Sequence, residues 1–168
     1  MEQVCFSHGK ESGPWGSKIT ALADVARGRG YAVESLDYRG IDDPLARAAL
    51  LEAHCAALAA PPVLVGSSMG AYVALAAAAA IDAVALFLMA PAVYVPGYDE
   101  YLPQKPRCPI TIVHGWGDDI IPPESAIRFA GECKATLHIL DDDHRLSANL
   151  PEVCRLFAGF LEGLERRA

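Results

Sequence analysis

With 168 residues, a formal charge of −7 and no basic run, the chain has room for about one core and lacks the positive stripe that nucleic-acid binding uses to displace phosphate counterions. Its five cysteines (Cys5, Cys55, Cys108, Cys133, Cys154) are odd in number, scattered and without a CxxC pair, which argues against a disulfide framework or a zinc site. Reduced, mostly buried thiols in a cytoplasmic protein are expected instead.

In chain order, short apolar runs alternate with helical patterns. Gln3–Ser7 predicts a strand, which the chain enters almost at once with no visible signal peptide. A glycine-rich loop and a helix over about Lys18–Arg29 follow. Ala32–Tyr38 reads as the second strand and Asp43–Ala59 as the second helix, with Asp42 or Asp43 as cap and Pro44 in the first turn. Pro62–Ser67 is a third strand that runs directly into the apolar helix Met69–Ala80.

The stretch Ala71–Ala92 is apolar apart from Asp82, but alanine-rich, so two short core elements describe it better than a membrane span. Ala83–Ala90 and Pro109–Gly115 are the fourth and fifth strands, then come helix Pro123–Gly131, strand Thr136–Asp141 and a last helix from Leu150 to Arg166. Strands three to five lack polar alternation, as parallel strands covered on both faces do. The expectation is one α/β domain over 1–168, with an open, mostly parallel six-stranded sheet and helices on both faces. Ligands of such sheets bind at the carboxyl ends of the strands.

The first of those ends is the loop FSHGKESGPWGSK, Phe6–Lys18. It is not a Walker loop, because Ser17 separates Gly16 from Lys18, and its glycines at 9, 13 and 16 miss the dinucleotide spacing. The third end carries Gly66-Ser67-Ser68-Met69-Gly70, a G-x-S-x-G centred on Ser68 between a strand and a helix. Glycine two residues to either side removes the Cβ atoms that would collide in a sharp strand-to-helix turn, leaving the Ser68 side chain projecting from the sheet.

A nucleophilic serine needs a base, and the base needs a carboxylate to orient it. Of the five histidines, His54 lies mid-helix and His138 within a strand, while His8 and His114 precede glycines at strand ends and suit bracing roles. His144 alone sits in a loop after the last strand, in DDDHRLSANL, where the acids Asp141–Asp143 read as a solvated turn. Asp118 and Asp119, in HGWGDDIIP after the fifth strand, are both candidates for the carboxylate.

These segments resemble the alpha/beta hydrolase family along essentially the whole chain. The order Ser68, Asp, His144 matches the family's nucleophile, acid and histidine, and His114-Gly115-x-x-Asp118-x-x-Ile121-Pro122 is similar to its acid loop, which assigns the acid to Asp118. The Ser7-His8-Gly9 segment resembles its oxyanion loop, implying a hole made by the backbone N–H groups of Met69 and Lys10. The resemblance implies strand order 2-1-3-4-5-6. The sequence departs from the family in lacking its usual initial hairpin and in having no cap domain, since the segment between strands four and five is too short for a helical lid. Tyr94, Tyr98 and Tyr101 in that segment are candidates to line an acyl pocket.

The implied activity is that of a small capless serine carboxylesterase, with no metal or organic cofactor and a small-molecule ester as partner. Nucleic acid and membrane are not expected partners. A thioesterase or acyltransferase would use the same groups; the net-acidic charge argues mildly against a CoA thioester, while Lys10, Lys18 and Arg145 are the cations that could bind its phosphates. A non-catalytic binding module would need no intact triad.

Overall fold

The structure is a computed structural model that describes residues 2–96, 98 and 105–166. The described residues form strands β1 (Gln3–Ser7), β2 (Ala32–Leu36), β3 (Val63–Ser67), β4 (Ala85–Met89), β5 (Ile110–Gly115) and β6 (Thr136–Leu140). The helices are α1 (Ser17–Gly28), α2 (Pro44–Ala56), α3 (Met69–Ile81), α4 (Pro123–Cys133) and α5 (Leu150–Glu165). The six strands are parallel in the order β2-β1-β3-β4-β5-β6, as the resemblance implied. Among the described residues no helix is long and apolar enough to cross a membrane.

Period-two alternation sorts the strand side chains onto two faces. Cys5, Leu64, Leu86, Leu88 and Ile112 face α2, α3 and α4. Val4, Phe6, Val63, Val65, Phe87, Met89 and Val113 face α1 and α5, where Phe157 packs edge-on against Phe6 and Phe87. Every residue of β4 is buried, which explains its unbroken apolar run. The edge strands β2 and β6 are half-buried and carry the polar residues Glu34, Ser35 and His138.

Element ends differ from expectation by a few residues. Strand β2 stops at Leu36, because the chain bends inward and Tyr38 is fully buried, its hydroxyl 3.1 Å from the Ser7 Oγ. Helix α2 begins at Pro44 with Asp43 as its cap, the carboxylate accepting from the Leu45 N–H at 3.0 Å.

From β1 the chain moves outward to β2, then returns through α2 to β3 on the other side of β1. This reversal separates the loops that leave β1 and β3, and a crevice opens between them at the carboxyl ends of the strands. The two glycines flanking Ser68 let the backbones meet there. A Cβ on Gly70 would lie 2.0 Å from the Ser7 carbonyl oxygen, and one on Gly66 would lie 2.3 Å from the Gly70 carbonyl oxygen. Helix α3 is therefore seated directly on the ends of β1 and β3, with alanines rather than larger residues filling much of its buried surface.

Gly70→Ala is expected to lower stability by about 2–3 kcal/mol, some 5–10 °C in melting temperature, because the obstructing atoms are backbone. Gly131→Ala in α4, where a new Cβ meets nothing within 4 Å, is expected to be neutral or slightly stabilising. Thermal unfolding followed by circular dichroism checks the pair; equal melting temperatures for both variants would contradict the packing account.

Candidate active site

Ser68 joins β3 to α3 with φ 55° and ψ −119°, a backbone region that side chains rarely adopt. Such a conformation persists only where the surroundings over-determine it. Here the Ser68 N–H donates to the Met89 carbonyl at 2.9 Å, and its own carbonyl accepts from the N–H groups of Ala71 (3.0 Å) and Ala92 (3.3 Å). The turn aims the Oγ at His144, whose Nε2 lies 3.0 Å away.

On the other side of the ring, His144 Nδ1 is 2.8 Å from Asp118 Oδ2. With Nδ1–H donating to the carboxylate, Nε2 is left to accept from the serine hydroxyl. The Asp118 side chain is fully buried, whereas His144 remains partly exposed. The second oxygen, Oδ1, accepts from the N–H groups of Ile120 (3.0 Å) and Ile121 (2.8 Å) in the tight loop after β5. Burial pushes the Asp118 pKa up, but the His144 and amide hydrogen bonds outweigh it, and the carboxyl titrates below its ordinary 3.8. Asp119 is exposed, so of the two acids it is Asp118 that meets His144.

The loop bearing His144 is pinned rather than freely solvated. Asp141 and Asp143 are exposed, as a turn requires, but Asp142 is buried. Its carboxylate accepts from the N–H groups of Asp143 and Asn149 at 2.8 Å each, and from the Asn149 amide at 3.1 Å. The Gly117 N–H donates to the Asp142 carbonyl at 2.9 Å, tying this loop to that of Asp118. Lys18 at the start of α1 donates its ammonium to the Arg145 carbonyl at 2.9 Å, and burial pushes its pKa down to about 8 against the pull of Asp142, Asp118 and Asp143. The sequence reads Lys18 as a candidate phosphate ligand and Asp142 as part of a solvated turn; their bracing roles left no pattern there, because the partners are mostly backbone atoms.

His8 and His114 brace loops, as read from their positions. His8 is fully buried; its Nδ1–H donates to the Gly9 carbonyl at 2.7 Å and its Nε2 accepts from the Tyr38 N–H at 2.9 Å, so the ring is neutral with one fixed tautomer. Burial lowers its pKa. His114 Nε2–H donates to the Ile121 carbonyl at 2.9 Å and passes 3.3 Å from Asp118 Oδ2, and burial lowers its pKa too. His54 sits on α2, 3.0 Å from Glu34, and His138 lies within β6.

Gly9 in the β1–α1 loop lies against the turn: a Cβ there would be 3.5 Å from the Ser67 carbonyl oxygen and 3.6 Å from Ser68 Cβ. Met69 is the first residue of α3, and Lys10 is exposed one residue beyond Gly9. Tyr98 packs edge-on against Tyr72 at 5.1 Å, in a small apolar cluster with Ala92, Val95 and Ile121. Tyr94 instead turns to α4, where its hydroxyl bonds Glu132 and the Arg128 guanidinium stacks over its ring at 3.9 Å. Tyr101 lies outside the described residues.

The Asp118 shift carries a sign. A carboxyl whose folded pKa lies below 3.8 stabilises the fold above that pH, and the contribution is lost as pH falls through the folded value. Asp118→Asn is expected to unfold about 1–3 kcal/mol more easily than the parent at pH 7, with the gap narrowing below about pH 4. Denaturant titrations at pH 7 and pH 3 measure it; a gap that widens on acidification would contradict the assignment.

The sequence profile of the alpha/beta hydrolase family matches residues 5–166. Among solved structures, a protein assigned to the hydrolases of the alpha/beta superfamily from Xanthomonas campestris pv. campestris is 34% identical, covers 97% of this chain and 99% of its own, and superposes with a TM-score of 0.89. A second protein from Xanthomonas campestris, a serine hydrolase without a lid, is 22% identical over 98% of this chain and 81% of its own, with a TM-score of 0.73. Est1E from Butyrivibrio proteoclasticus is 18% identical over 98% and 88%, with a TM-score of 0.80. Among curated proteins there is no match. The chain belongs to the alpha/beta hydrolase family.

Proposed function

We propose that the protein is a serine hydrolase that cleaves carboxylic esters of small or acyl-chain substrates through an acyl-enzyme on Ser68. The observation that carries this reading is the unbroken hydrogen-bonded line from Ser68 Oγ through His144 to Asp118, at 3.0 and 2.8 Å. As the Ser68 oxygen attacks the ester carbonyl, its proton passes to His144 Nε2. Asp118, ionised and held by two amides, stabilises the imidazolium and keeps Nδ1–H on its own side. The tetrahedral intermediate collapses when His144 returns the proton to the departing alkoxide. Water then gives a proton to His144 as its oxygen bonds the acyl carbon; the bond to Ser68 Oγ breaks, His144 returns the proton to Oγ, and the acid leaves.

The oxyanion would be met by the N–H groups of Met69, at the positive end of α3, and of Lys10. The close approach of Gly9 to Ser68 supports that placement of the second donor. On the acyl side, the half-buried Tyr98, packed on the buried Tyr72, Ala92 and Ile121, supplies apolar surface beside the turn. Trp15, Trp116 and Ile120 stand exposed on loops at the same sheet edge, as suits an apolar substrate group on an open rim. A CoA thioester is less well served, because the Lys18 ammonium is already spent on the Arg145 carbonyl and sits among three carboxylates.

A fluorophosphonate probe is expected to label the wild-type protein at neutral pH and not Ser68→Ala. His144→Ala is expected to lose on the order of 10³-fold or more in turnover of short nitrophenyl esters, while His138→Ala keeps wild-type rates. An unlabelled wild type, or activity that survives the loss of His144, would overturn the reading.

A further inference from the structure

Helix α2 contains an oddity that the reaction above does not use. Arg47 shares the buried stripe of Ala48, Leu51 and Cys55 and is only 1% exposed, making it the bulkiest of the fully buried side chains. Among the described residues it pairs with no carboxylate. Its Nε donates to the Ile41 carbonyl at 2.7 Å, its Nη1 to the Gly9 carbonyl at 3.2 Å and the His8 carbonyl at 3.4 Å, and its guanidinium faces the Tyr38 ring at 5.5 Å. A buried charge compensated only by carbonyls and a ring is costly, and an apolar residue on that stripe would pack the helix as well. What the guanidinium holds is therefore the informative part.

It holds the loop after β1. The Gly9 carbonyl accepts from Arg47 and from His8 Nδ1–H, with the Ser12 hydroxyl at 3.5 Å. Gly9 C=O and Lys10 N–H belong to one planar trans peptide and point in opposite directions. Anchoring the oxygen on the Arg47 side leaves the N–H directed away from it, at a residue step that lies against Ser68. A cation on the carbonyl also draws electron density through the peptide and makes its N–H a stronger donor.

We infer that Arg47 is a positioning residue for the oxyanion loop: through the Gly9 carbonyl its guanidinium fixes and polarises the peptide whose N–H meets the oxyanion. This rests on the hydrolase reading and deepens it. Arg47 touches no reacting atom. Its contribution is to a donor that matters most in the tetrahedral intermediate, so its loss falls on kcat rather than on KM.

The test compares wild type, Arg47→Met, Arg47→Lys and, as a packing control from the same stripe, Leu51→Ala. Each is assayed with 4-nitrophenyl acetate and titrated with a trifluoromethyl ketone, which forms an oxyanion on Ser68. Arg47→Met is expected to lose ~10–100-fold in kcat with KM within ~3-fold, and to bind the ketone weaker by the same factor as kcat. Arg47→Lys keeps the charge but cannot span three carbonyls, so a loss of ~3–10-fold is expected in both measurements. Leu51→Ala is expected to melt lower and yet keep kcat within ~3-fold.

A folded Arg47→Met with wild-type kcat and ketone affinity overturns the inference, as does an equal loss in Leu51→Ala. If Arg47→Met does not fold, an unchanged Arg47→Lys overturns it just as well. Failure of the hydrolase reading has a different signature, a wild-type protein that neither turns over ester nor binds the ketone.

Discussion

The turn at Ser68 is the constraint on which the rest of the site depends. Entering α3 straight from β3 forces a positive φ on a residue with a side chain, and hydrogen bonds to Met89, Ala71 and Ala92 hold it there. The turn is possible only because the neighbouring backbones come nearer than a Cβ would allow, at Gly66 and Gly70. That closeness does more than expose the serine. It brings the end of β1 against the first turn of α3, so the loop that follows β1 has to pass over Ser68. The candidate nucleophile and the proposed oxyanion loop are thus placed by one packing contact.

The charges around this turn form two poles. Beneath the imidazole lies the Asp118 carboxylate, shielded from solvent and saturated with amide donors. Beneath the β1–α1 loop lies the Arg47 guanidinium, buried and facing carbonyls. In the proposed reaction positive charge appears on His144 and negative charge on the substrate oxygen, so each pole faces the charge it would stabilise. The buried histidines between them, His8 and His114, are kept neutral by burial and by single tautomers, and they add no competing charge. Dipoles fixed before the reaction need no reorganisation during it.

Much of this was legible in the amino-acid order. The apolar strands, the glycines around Ser68 and the loop positions of the acid and histidine are local patterns whose physical cause lies within a few residues. The ends of β2 and α2 were less so, because inward turns such as that at Tyr38 are decided by tertiary packing. Spacing alone left Asp118 and its neighbour level and only the likeness to the family's acid loop favoured Asp118; the loop geometry agrees, with one carboxylate accepting two amides and the other facing solvent. The charged supports were silent. Lys18, Arg47 and Asp142 act on backbone atoms up to 127 residues away, and such partners leave no spacing to read. The grouping of Tyr94 with Tyr98 by sequence proximity also divides in space, one ring going to α4 and the other to the cluster beside Ser68.

The hydroxyl and imidazole that meet at 3.0 Å are 76 positions apart in the chain, and the carboxyl and imidazole 26. No fragment that folds locally can bring the three together, and the histidine loop is emitted only shortly before the last helix. On the proposed reading, a chain still emerging from the ribosome would hold Ser68 without His144 or Asp118 and so without the means to activate it. In refolding, the return of turnover would lag behind the return of helical signal, because loop closure of this length comes late relative to local winding.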